Sequence, residues 1–106
     1  MAGSLPSFRC SAIPPNRDAV ADSAERFNYW NADGDWEEPC NWSTFEKDMC
    51  SFSEEYPYTR FEVEIDTGGY LEAYKTWFHD GKVATVKAMV LWPAFTEDML
   101  QYADRP

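Results

Sequence analysis

After Pro57 the hydrophobic period of this chain changes from 3.6 to 2, which commits its second half to strands and leaves its first half for helices. In the run TRFEVEID, Phe61, Val63 and Ile65 point one way, and Arg60, Glu62, Glu64 and Asp66 point the other. That alternation is the pattern of a half-buried antiparallel strand over about 58–66. Thr67-Gly68-Gly69 offers a turn, and residues 70–79 read as a second strand. Asp80-Gly81 is the strongest hairpin signal in the chain, leading to a third strand over 82–92 that Pro93 ends. A three-residue turn at 67–69 sets Ile65 opposite Leu71 and Val63 opposite Ala73, while a two-residue turn at 80–81 sets Trp77 opposite Ala84. The expected apolar face then joins Phe61, Val63 and Ile65 to Leu71, Ala73 and Trp77, and continues through Val86, Ala88, Val90 and Trp92. Lys75 falls on that face and is its one misfit. The other face should be wet, yet Phe78, Val83, Met89 and Leu91 give it apolar content of its own.

Before Pro57 the spacing is helical. Asn16 is placed to cap a helix over 17–28, with Val20, Ala24 and Phe27 on one side and Asp18 in the first turn. Ser43 and Glu46 have the spacing of a capping box, and Phe45, Met49, Phe52 and Tyr56 follow as the apolar stripe of a helix over 44–55. Thr96 can cap a short helix over 97–102. Residues 1–15 are Ser- and Pro-rich and read as an extended N-terminal arm, leaving 16–106 as a single domain. The fold class is α+β, two-layer: a three-stranded antiparallel β-meander with helices packed on one face. One helix, three strands and a helix is also the order of double-stranded-RNA-binding domains. Those hold phosphates with a basic loop and a Lys-rich helix start, whereas the last segment here is TEDMLQYADRP.

Charge narrows the function. The chain has 19 Asp+Glu against 9 Lys+Arg, a net charge of −10, together with 7 Phe, 6 Tyr and 5 Trp. A disordered acidic tail lacks aromatics, so the sequence is that of a folded domain with a strongly negative surface. Such a surface repels nucleic acid and anionic membrane and attracts basic protein surfaces. No 18-residue apolar run is present, and MAGSLPSFRC lacks the basic-then-apolar layout of a secretory leader. Three cysteines, none in a CxxC pair, fit reduced thiols in a cytoplasmic protein; a Cys40–Cys50 disulfide with Cys10 unpaired is the alternative. His79 is the only histidine, so no zinc-site spacing exists, and no cofactor motif is present.

Four constellations merit weighing. Glu62, Glu64 and Asp66, with Glu72 on the next strand, form an acidic row whose i, i+2 spacing is about 6.8 Å, comparable to the path between neighbouring phosphates. The bland alternative is a solvated sheet face. The loop Asn31-Ala32-Asp33-Gly34-Asp35-Trp36-Glu37-Glu38 alternates oxygen ligands, but an EF-hand begun at Asn31 would need Gly and Glu where Trp36 and Trp42 stand. Trp30, Trp36 and Trp42, flanked by Asp33, Asp35, Glu37 and Glu38, read instead as interface anchors with a charged rim, or as caps on a small core. His79-Asp80 has the chemistry of a general base, but it lies in the tightest turn with no nucleophile to serve. The apolar part of the second sheet face is a self-association patch, which makes a homodimer an option.

The reading that joins these features is a small acidic inhibitor or decoy. Its partner would be a basic protein surface, that of a nucleic-acid-binding protein or nuclease complex, with no direct contact to nucleic acid or membrane. In charge, size and class it looks like the anti-defence proteins of phages, anti-CRISPR proteins among them, and like immunity proteins. The expected contact residues are Trp30, Asp33, Asp35, Trp36, Glu37, Glu38, Glu62, Glu64, Asp66 and Glu72. The alternatives are a small-molecule-binding or enzymatic α+β domain and a self-associating assembly protein.

Overall fold

The computed structural model describes residues 5–68, 73–89 and 92–102. The chain order is β1 (Ser7–Ile13), α1 (Arg17–Phe27), α2 (Phe45–Glu54), β2 (Arg60–Asp66), β3 (Ala73–His79) and β4 (Lys82–Lys87), with a single 3₁₀ turn at Glu97–Met99. The fold is α+β. The sheet is antiparallel throughout and has four strands in the order β1-β2-β3-β4.

The strand added to the expected meander comes from the N-terminal arm. Residues 7–13 are extended, as their composition suggests, but they pair with β2 along their whole length, Cys10 opposite Val63 and Ala12 opposite Phe61. Phe8 and Cys10 alternate with the exposed Arg9 and Ser11, so β1 contributes directly to the core. The prolines flank the strand instead of breaking it.

Asn16 caps α1 as expected: its Oδ1 accepts from the Ala19 N–H at 3.0 Å. Asn28 closes the helix in the left-handed region (φ 64°), where Asn is tolerated, and donates to the Ala24 carbonyl. The expected Ser43–Glu46 capping box does not form. Thr44 is the N-cap residue, and its hydroxyl donates to Asp48 Oδ2 at 2.7 Å. The Trp42 indole N–H reaches the same oxygen at 2.8 Å. A carboxylate one turn into the helix thus gathers both donors. At the other end, Ser53 Oγ donates to the Cys50 carbonyl and accepts from Gly81 N at 2.8 Å, which ties the β3–β4 hairpin turn to α2. That turn has the positive φ angles its sequence demands, 49° at Asp80 and 83° at Gly81.

Register decides which side chains meet. Trp77 lies opposite Ala84, as the two-residue turn requires. Between β2 and β3 the expected register is displaced: Asp66 pairs with Ala73, Glu64 with Lys75 and Glu62 with Trp77, because six residues connect the strands rather than three. An odd displacement turns every β3 and β4 side chain over relative to β2. Phe78 and Thr76 therefore join Phe61 and Val63 beneath the helices, whereas Ala73, Trp77 and Val86 move to the opposite face. The displacement removes the misfit, because Lys75 now shares the outer face with the β2 acids. It also splits the expected second-face patch: Phe78 is core, Val83 is its exposed neighbour, and Leu91 lies outside the described residues.

The core is aromatic. Trp42 packs against Tyr29, Phe45, Phe8 and Trp30 at centroid distances of 4.2, 4.9, 5.4 and 5.4 Å, and Phe52 meets Phe61 at 5.3 Å. Among the described residues no buried side-chain N or O lacks a hydrogen-bond partner. β4 is shorter than the expected 82–92 and exposed along its length, and the expected helix over 97–102 is only the 3₁₀ turn. Met89, Trp92, Phe95 and Leu100, beyond β4, are also exposed.

Candidate functional site

The loop between the helices is built around Asn31. Its Oδ1 accepts from the backbone N–H groups of Asp33 and Asp35, each at 3.0 Å, and its carbonyl accepts from Gly34 N at 2.9 Å. The Asn31 side chain thus folds the loop on itself. Gly34 (φ 84°) then brings its carbonyl to the Cys10 N–H at 2.9 Å, docking the loop on the outer edge of β1. Trp30 and Trp36 bridge across the loop.

The three tryptophans consequently have different fates. Trp30 is buried, its indole N–H donating to Ser23 Oγ at 2.9 Å, and Trp42 is buried against Asp48. Both are core. Trp36 is half-buried and lies over the rim of the sheet, with the Arg9 guanidinium 4.8 Å from its ring centroid. Arg9 also reaches Asp35 at 3.9 Å, and Arg17 pairs with Asp33 at 2.7 Å. Glu37 and Glu38 are exposed.

Trp36 forms one wall of a groove of about 650 Å³ across the outer sheet face. Trp77 stands at the other side, Ala73, Val86 and Ala88 form the floor, and Glu64 and Asp66 line the β2 margin. The acidic row therefore exists, but it is answered across the strands. Glu62 accepts from the Trp77 indole at 3.0 Å and pairs with Lys75 at 3.2 Å. Glu64 lies between Arg9 on β1 and Lys75 on β3 in the register. Glu72 lies outside the described residues. Of the expected contact residues, the fold thus gathers Trp36, Glu64 and Asp66 into one groove beside Glu62, removes Trp30 to the core, and leaves the loop acids on the rim.

Sequence reasoning missed Arg9, Lys75 and Trp77 as parts of this face. The signal was present, since a lysine on a strand's supposed core face is evidence against that register. The remaining chemistry is sparse. Cys10, Cys40 and Cys50 are all unpaired thiols, and burial pushes that of Cys10 up to about 12. Burial also raises Cys50, aided by Glu46 and Glu54. Among the described residues no group of three or more His, Cys, Asp or Glu side chains could hold a metal ion. Nor is any helix there long and apolar enough to cross a membrane. Comparison of the chain with protein-family models, with curated proteins and with solved structures returned no match.

Proposed function

We propose that this protein is a small acidic inhibitor or decoy that occupies a basic surface of a partner protein, one that itself binds nucleic acid, in the cytoplasm of the cell where it acts. The observation that carries the reading is where the surplus charge lies. Residues 17–56, the two helices and the loop between them, hold 11 acidic against 3 basic side chains; the rest of the chain holds 8 against 6. Asp18, Glu25, Glu46 and Glu54 are exposed on the helices, and Glu37 and Glu38 on the loop. A field of that sign, concentrated on the helices and the loop that joins them, speeds encounter with a basic cleft and disfavours nucleic acid and anionic membrane.

The test is capture of partners from a bacterial lysate on the tagged protein, followed by elution with duplex DNA or with salt. A dominant nucleic-acid-binding protein released by both supports the reading. The triple variant Glu25→Lys, Glu46→Lys, Glu54→Lys should then lose that partner while keeping its circular dichroism spectrum. Recovery of no such protein, or of one that duplex DNA does not displace, would count against a decoy.

A further inference from the structure

The outer sheet face carries no covering layer among the described elements, because both helices pack on the other side with the core. Its chemistry differs from the rest of the molecule. Across that face Glu62, Glu64 and Asp66 are matched by Arg9, Lys75 and Lys82, in a chain whose net charge is −10. Two copies of so acidic a protein repel one another almost everywhere else. Here they would not.

We propose that this face is the interface of a homodimer, two sheets packed face to face about a two-fold axis that runs along the strands between β2 and β3. The register supplies the argument. Arg9, Glu64, Lys75 and Val86 form one row across the four strands. A two-fold between the second and third members of that row sets Glu64 over Lys75 of the partner subunit, and Lys75 over the partner's Glu64. The contact is self-complementary, as an isologous interface must be. Among the described residues Glu64 belongs to no ion pair, whereas Lys75 already holds Glu62. The flanking rows end in small side chains, Ser7 with Ala88 and Ser11 with Ala84, which lets two sheets approach to about 10 Å. Trp36 and Trp77 supply the aromatic area that interfaces favour. The paired strands span about 19 Å by 20 Å, an area below that of standard stable interfaces, so the dimer is weak and reversible. It leaves both acidic helical layers outward. The decoy reading rests on the exposed carboxylates of the helices and their connecting loop, and its variants at Glu25, Glu46 and Glu54 are distinct from those that test the dimer.

Sedimentation velocity over a range of concentrations tests it, on the full chain and three variants. The wild type should move from the chain mass to twice that mass as concentration rises. Glu64→Lys and Lys75→Glu each set like charges across the axis twice, and each should weaken the dimer about tenfold or more. The double variant Glu64→Lys, Lys75→Glu exchanges the two charges and should restore association to within about threefold of wild type. Ala84→Arg is a steric check that leaves the ion pair alone; it should also loosen the dimer. A chain monomeric at every concentration would overturn the proposal and assign the face to a different protein. Single reversals that associate like the wild type, or a double variant that is not restored, would equally overturn it.

Discussion

The two edges of the sheet are made of similar lengths of extended chain and behave as opposites. At the β1 edge, Phe8 and Cys10 are 4% and 2% exposed, and the Asn31–Trp36 loop closes over the outer side. At the β4 edge all six residues are exposed, Val86 to 50%, and the strand is framed by Lys82 and Lys87. An open edge is a template for adding further strands, and flanking lysines are a usual defence. One edge therefore belongs to the core, and the other is guarded against its own reactivity. Self-association through the sheet face rather than through β4 agrees with that guard.

The sharpest way to break the contrast is at Gly34. A Cβ there would stand 1.9 Å from the Cys10 carbonyl oxygen, and the backbone is left-handed. Gly34→Ala should cost about 3–5 kcal/mol in denaturant unfolding and lift the loop from β1. A loss under about 1 kcal/mol would mean that the edge is not sealed by this contact.

The buried thiol behind that seal gives a pH test. In the folded protein Cys10 ionises near 12, in place of its ordinary 9.0. The unfolded chain loses this proton first, so the stability is fully present below about pH 9 and falls as pH rises toward 12. The fall is about 1.4 kcal/mol per pH unit over that window. Tyr56, held up by its hydrogen bond to Asp22, titrates in the same direction, so the comparison must be with Cys10→Ala. That variant should show a shallower decline above pH 9 than the wild type; parallel curves would remove the thiol from the account. At neutral pH, alkylation should reach Cys40 and Cys50 well before Cys10.

How far these features could be read in advance differs from element to element. The change of period at Pro57, the Asn16 cap and the Asp80-Gly81 turn are local, and each appears in the structure where the residues demand it. The β2–β3 register is not local. Gly68 and Gly69 look like a tight turn, and only the burial of Phe78 and Thr76, with the release of Lys75 to the outer face, favours six connecting residues. β1 was hidden by its flanking prolines, although Phe8, Cys10 and Ala12 alternate with Arg9 and Ser11 as a strand should. The three tryptophans were indistinguishable because their fates rest on distant partners, Ser23 for Trp30 and Asp48 for Trp42. Charge was legible in amount but not in place. Its surplus lies with the helices and the loop between them rather than on the acidic-looking strand, because Arg9 and Lys75 could be set beside Glu64 only once the register was known.

Smaller effects separate what holds β4 from what it holds. The Ser53 hydroxyl is the side-chain anchor of the hairpin turn, so Ser53→Ala leaves a buried position without its hydrogen bond to Gly81 and should cost about 1–2 kcal/mol. Amide exchange in that variant should quicken in β4 more than in β2. A uniform loss across the sheet would show that the turn is held by packing alone.

Within β4 itself almost nothing should register on stability. Val86→Thr keeps the branched shape that strands favour and sits half-exposed with no helix above it, so its unfolding free energy should stay within about 0.5 kcal/mol of wild type. The same substitution lies on the row that the dimer axis crosses, beneath Arg9 of the partner subunit. A change in dimer dissociation without a change in unfolding would mark Val86 as interface. If unfolding falls by more than about 1 kcal/mol instead, β4 has a burial that its exposure denies, and the contrast between the two edges fails.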